Sequence, residues 1–243
     1  MKHRPLQRSF RAGIERLPAQ QHAQRHQHRD AYVTVVLEGA YEQAAYAGRL
    51  TIGPADVIIQ PSFDCHADRM MSAGVELLRL PWGREIGLGG VIGGCPVEEI
   101  RRAARVSVIE AVEVVRQAVE VRVPRPRRFA HLCDKLAEDL AVDHNLRIGR
   151  WAAEHGRSRE AVSREFRAFF GVSPERFRIE LRARAAWGEI VSNDLTLSQI
   201  AYKLGFADQA HMTRAVSWLT GLAPSAWSRP HHRQITDSTA RRK

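Results

Sequence analysis

Two groups of polar side chains in the second half of the chain have the types and spacing needed to read hydrogen-bond patterns. The first is Arg159, Glu160, Ser163, Arg164 and Arg167, and the second is Gln209, Ala210, His211, Thr213 and Arg214. On a helix turning about 100° per residue, Glu160, Ser163, Arg164 and Arg167 fall opposite an apolar stripe of Val162, Phe166 and Phe169. Ala210, Thr213, Arg214 and Ser217 likewise fall opposite Met212, Val216 and Leu219, with Gln209 and His211 on the N-terminal flank. A guanidinium fork at Arg164 or Arg214 can grip guanine O6 and N7, and the Gln209 carboxamide matches adenine. The Glu160 carboxylate can only accept, which suits cytosine N4. The plainer reading makes Arg164 and Arg214 solvated or intramolecular ion pairs, and Glu160 a solvated charge.

Such side chains need short helices to present them. In Thr196–Trp227, Thr196 and Gln199 form a capping box. Leu197, Ile200, Ala201 and Leu204 make one stripe, Gly205 supplies a left-handed stop, and Asp208 caps the helix that follows. Helix, glycine turn, helix is the helix-turn-helix pattern, whose second helix enters the DNA major groove. The unit occurs twice. Ile148, Trp151 and Ala152 precede Gly156, Ser158 caps, and Val162, Phe166 and Phe169 follow. Arg164-Glu165-Phe166 and Gly171-Val172-Ser173-Pro174 are echoed by Arg214-Ala215-Val216 and Gly221-Leu222-Ala223-Pro224. Glu175–Ile190 reads as the connecting helix.

On these residues, with Arg182 and Ala186 in the connecting helix and Ile200-Ala201, Leu204-Gly205-Phe206 in the second unit, the chain resembles the AraC/XylS family of transcription regulators over residues 130–229. The resemblance implies double-stranded promoter DNA and RNA polymerase as partners, and base contacts at much the same ten positions. Val216, Ser217 and Thr220 depart from the family's phenylalanine, basic residue and aromatic, so the first motif is expected to supply more of the affinity.

Composition agrees. From Arg125 onward there are 21 Lys+Arg against 13 Asp+Glu, within a total of 37 against 27. The excess therefore sits on the half that would meet a polyanion. No apolar run approaches the ~20 residues of a membrane helix, and the N-terminus lacks the apolar core of a signal peptide. Cys65, Cys95 and Cys133, scattered and odd in number, suit a reducing cytoplasm better than a disulfide framework. No nucleophile elbow or Walker loop occurs. Gly87–Gly93 misses G-x-G-x-x-G by one residue, lacks a surrounding βαβ unit, and reads as a flexible connection.

The N-terminal half opens with a basic, His- and Gln-rich arm to about Gln27, expected to be partly disordered. Short strands follow: YVTVVL from Tyr32, a turn at Glu38-Gly39, then RLTI, DVIIQP and VELLRLP. They predict a small β-barrel or jelly roll. With His26-Gln27-His28, Gly53–Asp56, Pro61 and His66, this half resembles the cupin-like sensor domain carried by many AraC-type regulators. It resembles more loosely the catalytic cupins, in which two His of H-x-H, a nearby Glu and a later His hold a divalent metal. By that resemblance His26, His28 and His66 would bind Zn, Fe, Ni or Cu, with Cys65 as a soft donor beside them. No Glu fills its position after His28, and Phe63 stands where cupins place Gly. The plainer reading is that these are hydrogen-bonding histidines at the rim of a pocket for an organic effector.

Between the halves, Pro96–Ala104 reads as a short helix. Ser107 caps a second helix in which Val108, Val112, Val115 and Val119 recur at coiled-coil spacing. That seam either packs on the chain's own barrel or pairs two subunits as a homodimer. Pro124 and Pro126 stiffen a linker, Leu132, Leu136 and Leu140 mark the next helix, and a polar, basic tail from Gln234 is expected to be disordered.

The expected architecture is α+β. A cupin-like sensing domain at 1–94 leads through a helical segment at 95–128 to a bipartite helix-turn-helix domain at 129–233, with a tail at 234–243. The function expected is that of a cytoplasmic, non-enzymatic, DNA-binding regulator responding to a small-molecule effector. The rival is a metal-dependent cupin enzyme with an accessory nucleic-acid module.

Overall fold

The structure, a computed structural model, describes residues 6–7, 10–46, 48–83, 90–124, 131–143 and 145–227. They form two compact units, one of residues 6–137 with 164–172, the other of 138–163 and 173–227. The glycine-rich run at 84–89, the Arg125–Arg128 part of the linker and the tail from Gln234 lie outside the described residues.

The first unit is built on two long antiparallel strands, β4 (Tyr32–Ala45) and β7 (His66–Pro81). Each is paired along different stretches by different short strands. β2 (Gly13–Leu17) and β3 (His22–Gln27) flank β7, while β5 (Gly48–Ile52) and β6 (Val57–Gln60) flank β4; β1 (Leu6–Gln7) and β8 (Val91–Ile92) complete an eight-stranded sheet at its edges. Within the arm, residues 13–17 and 22–27 are therefore strand: β2 runs from Gly13 against Val75–Arg79, and its polar composition reflects an outer strand held by backbone hydrogen bonds.

Glu38-Gly39 is also no turn. The register between β4 and β7 slips at Val36/Glu38 and again at Gly39/Tyr41, so these residues form a bulge inside one continuous strand. Gly39 sits at φ +74°, and a Cβ there would lie 2.1 Å from the Gly74 carbonyl oxygen. Only glycine allows that approach.

Alternate residues of β4 feed two cores. Val33, Val35 and Leu37 join Leu78 and Leu80 on one face, and Val36 and Tyr41 join Ile58, Val75 and Leu77 on the other. The run YVTVVL, apolar but for the buried Thr34, is thus a strand covered on both sides. The first face is covered by α1 (Val97–Val106) and α2 (Val108–Glu120). Ser107 caps α2 by accepting the Glu110 amide at 3.1 Å. Ala111, Val115 and Ala118 are buried against the sheet, flanked by Val112 and Val119, whereas Val108 is 39% and Ile109 82% exposed. The seam's buried face belongs to its own barrel. The small alanines, which bring helix and sheet close, matter as much as the valines.

The second half is helical: α3 (Leu132–Val142), α4 (Ile148–Glu154), α5 (Arg159–Phe170), α6 (Pro174–Ser192), α7 (Leu197–Lys203), α8 (Gln209–Thr220) and a 3₁₀ turn at Pro224–Ala226. The connecting helix α6 is longer than Glu175–Ile190, because the Ser173 hydroxyl caps it and Pro174 starts it.

Candidate functional site

Local sequence builds both reading helices. Ser158 Oγ accepts the Ala161 amide at 3.2 Å to start α5. Thr196 and Gln199 close the capping box of α7, and Asp208 caps α8 through the His211 amide at 2.6 Å. Gly156 and Gly205, both at φ +66°, make the turns between paired helices. The Arg182 side chain on α6 donates to the Gly205 carbonyl, and its guanidinium lies 4.3 Å from the Phe206 ring centroid, so the connecting helix grips the second turn.

The apolar stripes face inward: Val162, Phe166, Met212, Val216 and Leu219 are buried. Phe169 departs from its expected place. Phe170, four residues from Phe166, occupies the core, and Phe169 is half-buried on the flank, stacked on His131 at 4.9 Å. The departures in the second motif have local partners. Thr220 donates to the Val216 carbonyl at 3.0 Å and accepts Trp227 Nε1–H at 3.2 Å, while Trp227 packs edge-on against Trp187. Trp218 stacks beneath Arg176 at 3.9 Å.

All ten positions are exposed or half-buried: Arg159, Glu160, Arg164, Arg167, Gln209, Ala210 and Arg214 are exposed, while Ser163, His211 and Thr213 are half-buried. They are not equally available. Arg159 pairs with Glu175 at 3.0 Å, Gln209 accepts the Ser198 hydroxyl at 2.7 Å, and His211 packs edge-on against Phe206. Among the described residues, none pairs with Arg164, Arg167 or Arg214. The exposed faces of α5 and α8 therefore offer three guanidinium groups outward.

In the barrel, β3 and β7 bring His26 opposite His66, and His28 follows at the end of β3. All three are buried, and one ring nitrogen of each lies within 4.8 Å of the others. His26 Nδ1 lies 2.8 Å from the Gln24 carbonyl and His66 Nδ1 3.2 Å from that of Asp64. A carbonyl only accepts, so both Nδ1 atoms carry hydrogen. The Tyr32 hydroxyl, buried on β4, sits 3.3 Å from His66 Nε2. Burial above all, then Asp68, pushes its phenol well above the ordinary tyrosine range. Asp68 reaches within 3.9 Å of the same His66 nitrogen and accepts Gln43 Nε2–H at 3.0 Å; Gln43 in turn accepts from Gln60 at 2.8 Å.

Cys65 is not part of this group. Successive side chains alternate across extended backbone, and its thiol donates to Gln27 Oε1 at 3.5 Å and faces the Phe63 carbonyl at 4.0 Å. Phe63, which replaces the expected glycine, keeps a glycine's conformation at φ +58°, fully buried, with its amide donating to the His28 carbonyl at 2.8 Å. The loop that carries it thus fixes the backbone of His28.

Residues 151–230 match the family model described as a helix-turn-helix domain. These residues form an AraC-type helix-turn-helix domain. The chain is accordingly a DNA-binding transcription regulator. A search of the curated proteins finds no match. Among solved structures, it is similar to unsaturated-fatty-acid-bound ToxT from Vibrio cholerae, at 12% identity and TM-score 0.41, covering 93% of this chain and 96% of that one. The C-terminal domain of AraT, a response regulator from Geobacillus stearothermophilus, is similar at 18% identity and TM-score 0.39, over 44% of this chain and 88% of that one. A variant of oxalate decarboxylase from Bacillus subtilis is similar at 18% identity and TM-score 0.25, over 28% and 20%.

Two residues of the N-terminal sheet escape sequence reasoning to different degrees. Asp68 stands two residues after His66 and so shares its strand face, a signal that period-two reading could have caught. Tyr32 is 34 positions from His66 and is brought there only by the sheet. A second group, His131, Cys133 and Glu165, also lies within ligand distance. There, His131 Nδ1 accepts the Cys133 amide at 3.1 Å, which places that ring's proton on Nε2 and spends its lone pair. Among the described residues no helix is long and apolar enough to cross a membrane.

Proposed function

We propose that this regulator reads a promoter duplex with the outward faces of α5 and α8, and that the barrel senses the effector that sets its DNA affinity. The observation that carries the DNA reading is the trio Arg164, Arg167 and Arg214, exposed, without a partner among the described residues, on helices set by glycine turns. Arg164 and Arg214 stand at equivalent positions of the two units and suit bidentate contacts to guanine. Arg167, one turn on from Arg164, suits a phosphate. Glu160 on the same face selects against bases that offer only acceptors. RNA polymerase reads out occupancy, and a homodimer would occupy paired half-sites. The protein works in the cytoplasm and carries out no catalysis of its own.

The test uses a duplex selected by the full-length protein from randomised DNA, with fluorescence anisotropy over a salt series. Arg164→Ala should cost ~1–3 kcal/mol on that duplex and relax preference at one base pair. Arg167→Ala should weaken all duplexes alike and reduce the salt slope by about one counterion. Wild-type affinity and salt slope in both variants would reject these faces as the DNA interface.

A further inference from the structure

On the reading of α8 as a base-contacting helix, we infer that Ser198 is a positioning residue: its hydroxyl holds the Gln209 carboxamide for adenine, so that the second helix-turn-helix unit selects an A·T pair at that place.

Gln209 opens α8 directly after the capping Asp208, so its side chain leaves the helix at the end that enters the groove. A glutamine turns about three side-chain bonds, and fixing them on a base costs more entropy than for most residues. Ser198, in the first turn of α7, donates to Gln209 Oε1 at 2.7 Å and ties the carboxamide to the neighbouring helix. Both side chains are exposed, so water competes for this bond and it adds little to the fold. It acts when DNA covers α8. The carboxamide then arrives already placed, and the water that weakened the bond is expelled.

The hydrogen-bond inventory selects the base. A carboxamide oxygen has two lone pairs, and its nitrogen carries two hydrogens. Ser198 uses one lone pair of Oε1. The other remains for adenine N6–H while Nε2–H donates to N7, which is the bidentate pairing of a carboxamide with adenine. Guanine offers acceptors at both O6 and N7, so the same orientation sets oxygen against oxygen. Released from Ser198, the carboxamide can turn its nitrogen towards O6, and the preference for adenine is lost.

The first unit shows that this brace is particular to the second. As Ser198 stands to the turn residue Gly205, Gly149 on α4 stands to Gly156. A Cβ on Gly149 would lie 3.9 Å from Cδ of Arg159, the residue that opens α5. The fold therefore brings this position against the first residue of the reading helix in both units, and the second unit places a hydroxyl there. Arg159 is held instead from α6, by Glu175 at 3.0 Å. A guanidinium shared with a carboxylate and a braced neutral amide are different readers, so the two units differ in base preference.

The test uses the full-length protein and the duplex it selects from randomised DNA. Each base pair is replaced in turn, and affinity is read by fluorescence anisotropy over a salt series. Gln209→Ala should lose preference at one A·T pair. Ser198→Ala should weaken the selected duplex roughly 3- to 10-fold, the net contribution of one hydrogen bond. It should also flatten the preference at that same pair and leave salt slope and melting temperature as in wild type. The Ser198→Ala, Gln209→Ala double variant should bind as Gln209→Ala does, because Ser198 acts through the carboxamide. Ser198→Thr keeps the hydroxyl and should restore affinity and preference together. Wild-type behaviour of Ser198→Ala on every duplex would overturn the inference. So would uniform weakening with a shallower salt slope, which would make Ser198 a phosphate contact, or additive losses in the double variant, which would separate it from Gln209. Loss of preference at a pair other than A·T in Gln209→Ala would overturn the base assignment. Arg164→Ala and Arg167→Ala are measured alongside, and their losses keep the DNA-reading faces standing where Ser198 fails.

Discussion

Val115→Ala tests the packing of α2 most directly. Val115 is fully buried between the helix and the strand residues Val33, Val35, Leu78 and Leu80. Removing two methyl groups costs about 1.6 kcal/mol at ~0.8 kcal/mol per buried carbon. The cavity adds about 1 kcal/mol for some 40 Å³ left unfilled. The sum, about 2–3 kcal/mol, is set against Ile109→Ala on the same helix. Ile109 is 82% exposed, so its truncation should stay within about 0.5 kcal/mol. In a urea titration followed by circular dichroism, Val115→Ala should lower the barrel's midpoint by about 1 M at a slope near 2 kcal/mol/M. Light scattering should show the same subunit count for both variants and the wild type. A Val115→Ala loss below about 0.5 kcal/mol, or a larger loss from Ile109→Ala, would refute the packing; a fall in subunit count with unchanged stability would return the seam to a dimer interface.

Two further outcomes follow from the barrel. Gly39→Ala places a methyl 2.1 Å from the Gly74 carbonyl at φ +74°, so it should destabilise by more than the ~1–3 kcal/mol of backbone strain alone; a wild-type melting temperature would show that the bulge is not close-packed. Hydrogen bonding to Arg16, and then to Arg101, holds the Glu76 carboxyl below its usual range despite its burial. A depressed folded pKa contributes stability above the unfolded value of about 4.3 and loses it as pH falls through the folded value. Glu76→Gln should therefore be less stable than wild type at pH 7, with the gap closing in melting curves below pH ~4; a gap independent of pH would assign the effect to packing.

The helix-turn-helix units were legible from the chain because their signals are local. A capping box joins residues three apart at Thr196 and Gln199, an apolar stripe recurs every three or four residues, and a glycine at Gly156 or Gly205 marks a left-handed stop. Even the position that faces outward at Arg164 follows from a fixed rotation per residue. The barrel obeys no such rule. Glu38-Gly39 has turn composition, and it becomes a bulge because the Gly74 carbonyl, 35 positions later, takes the space of a side chain. The His-rich arm has no strand periodicity, yet β7 offers it a ladder of backbone hydrogen bonds. Cys65 and His66 are neighbours in sequence and are separated by strand alternation, while Tyr32 and His66 are distant in sequence and meet. Helical periodicity is written in a few consecutive residues. Strand pairing is a choice among distant partners, decided by which register buries both faces, and only the folded sheet makes that choice.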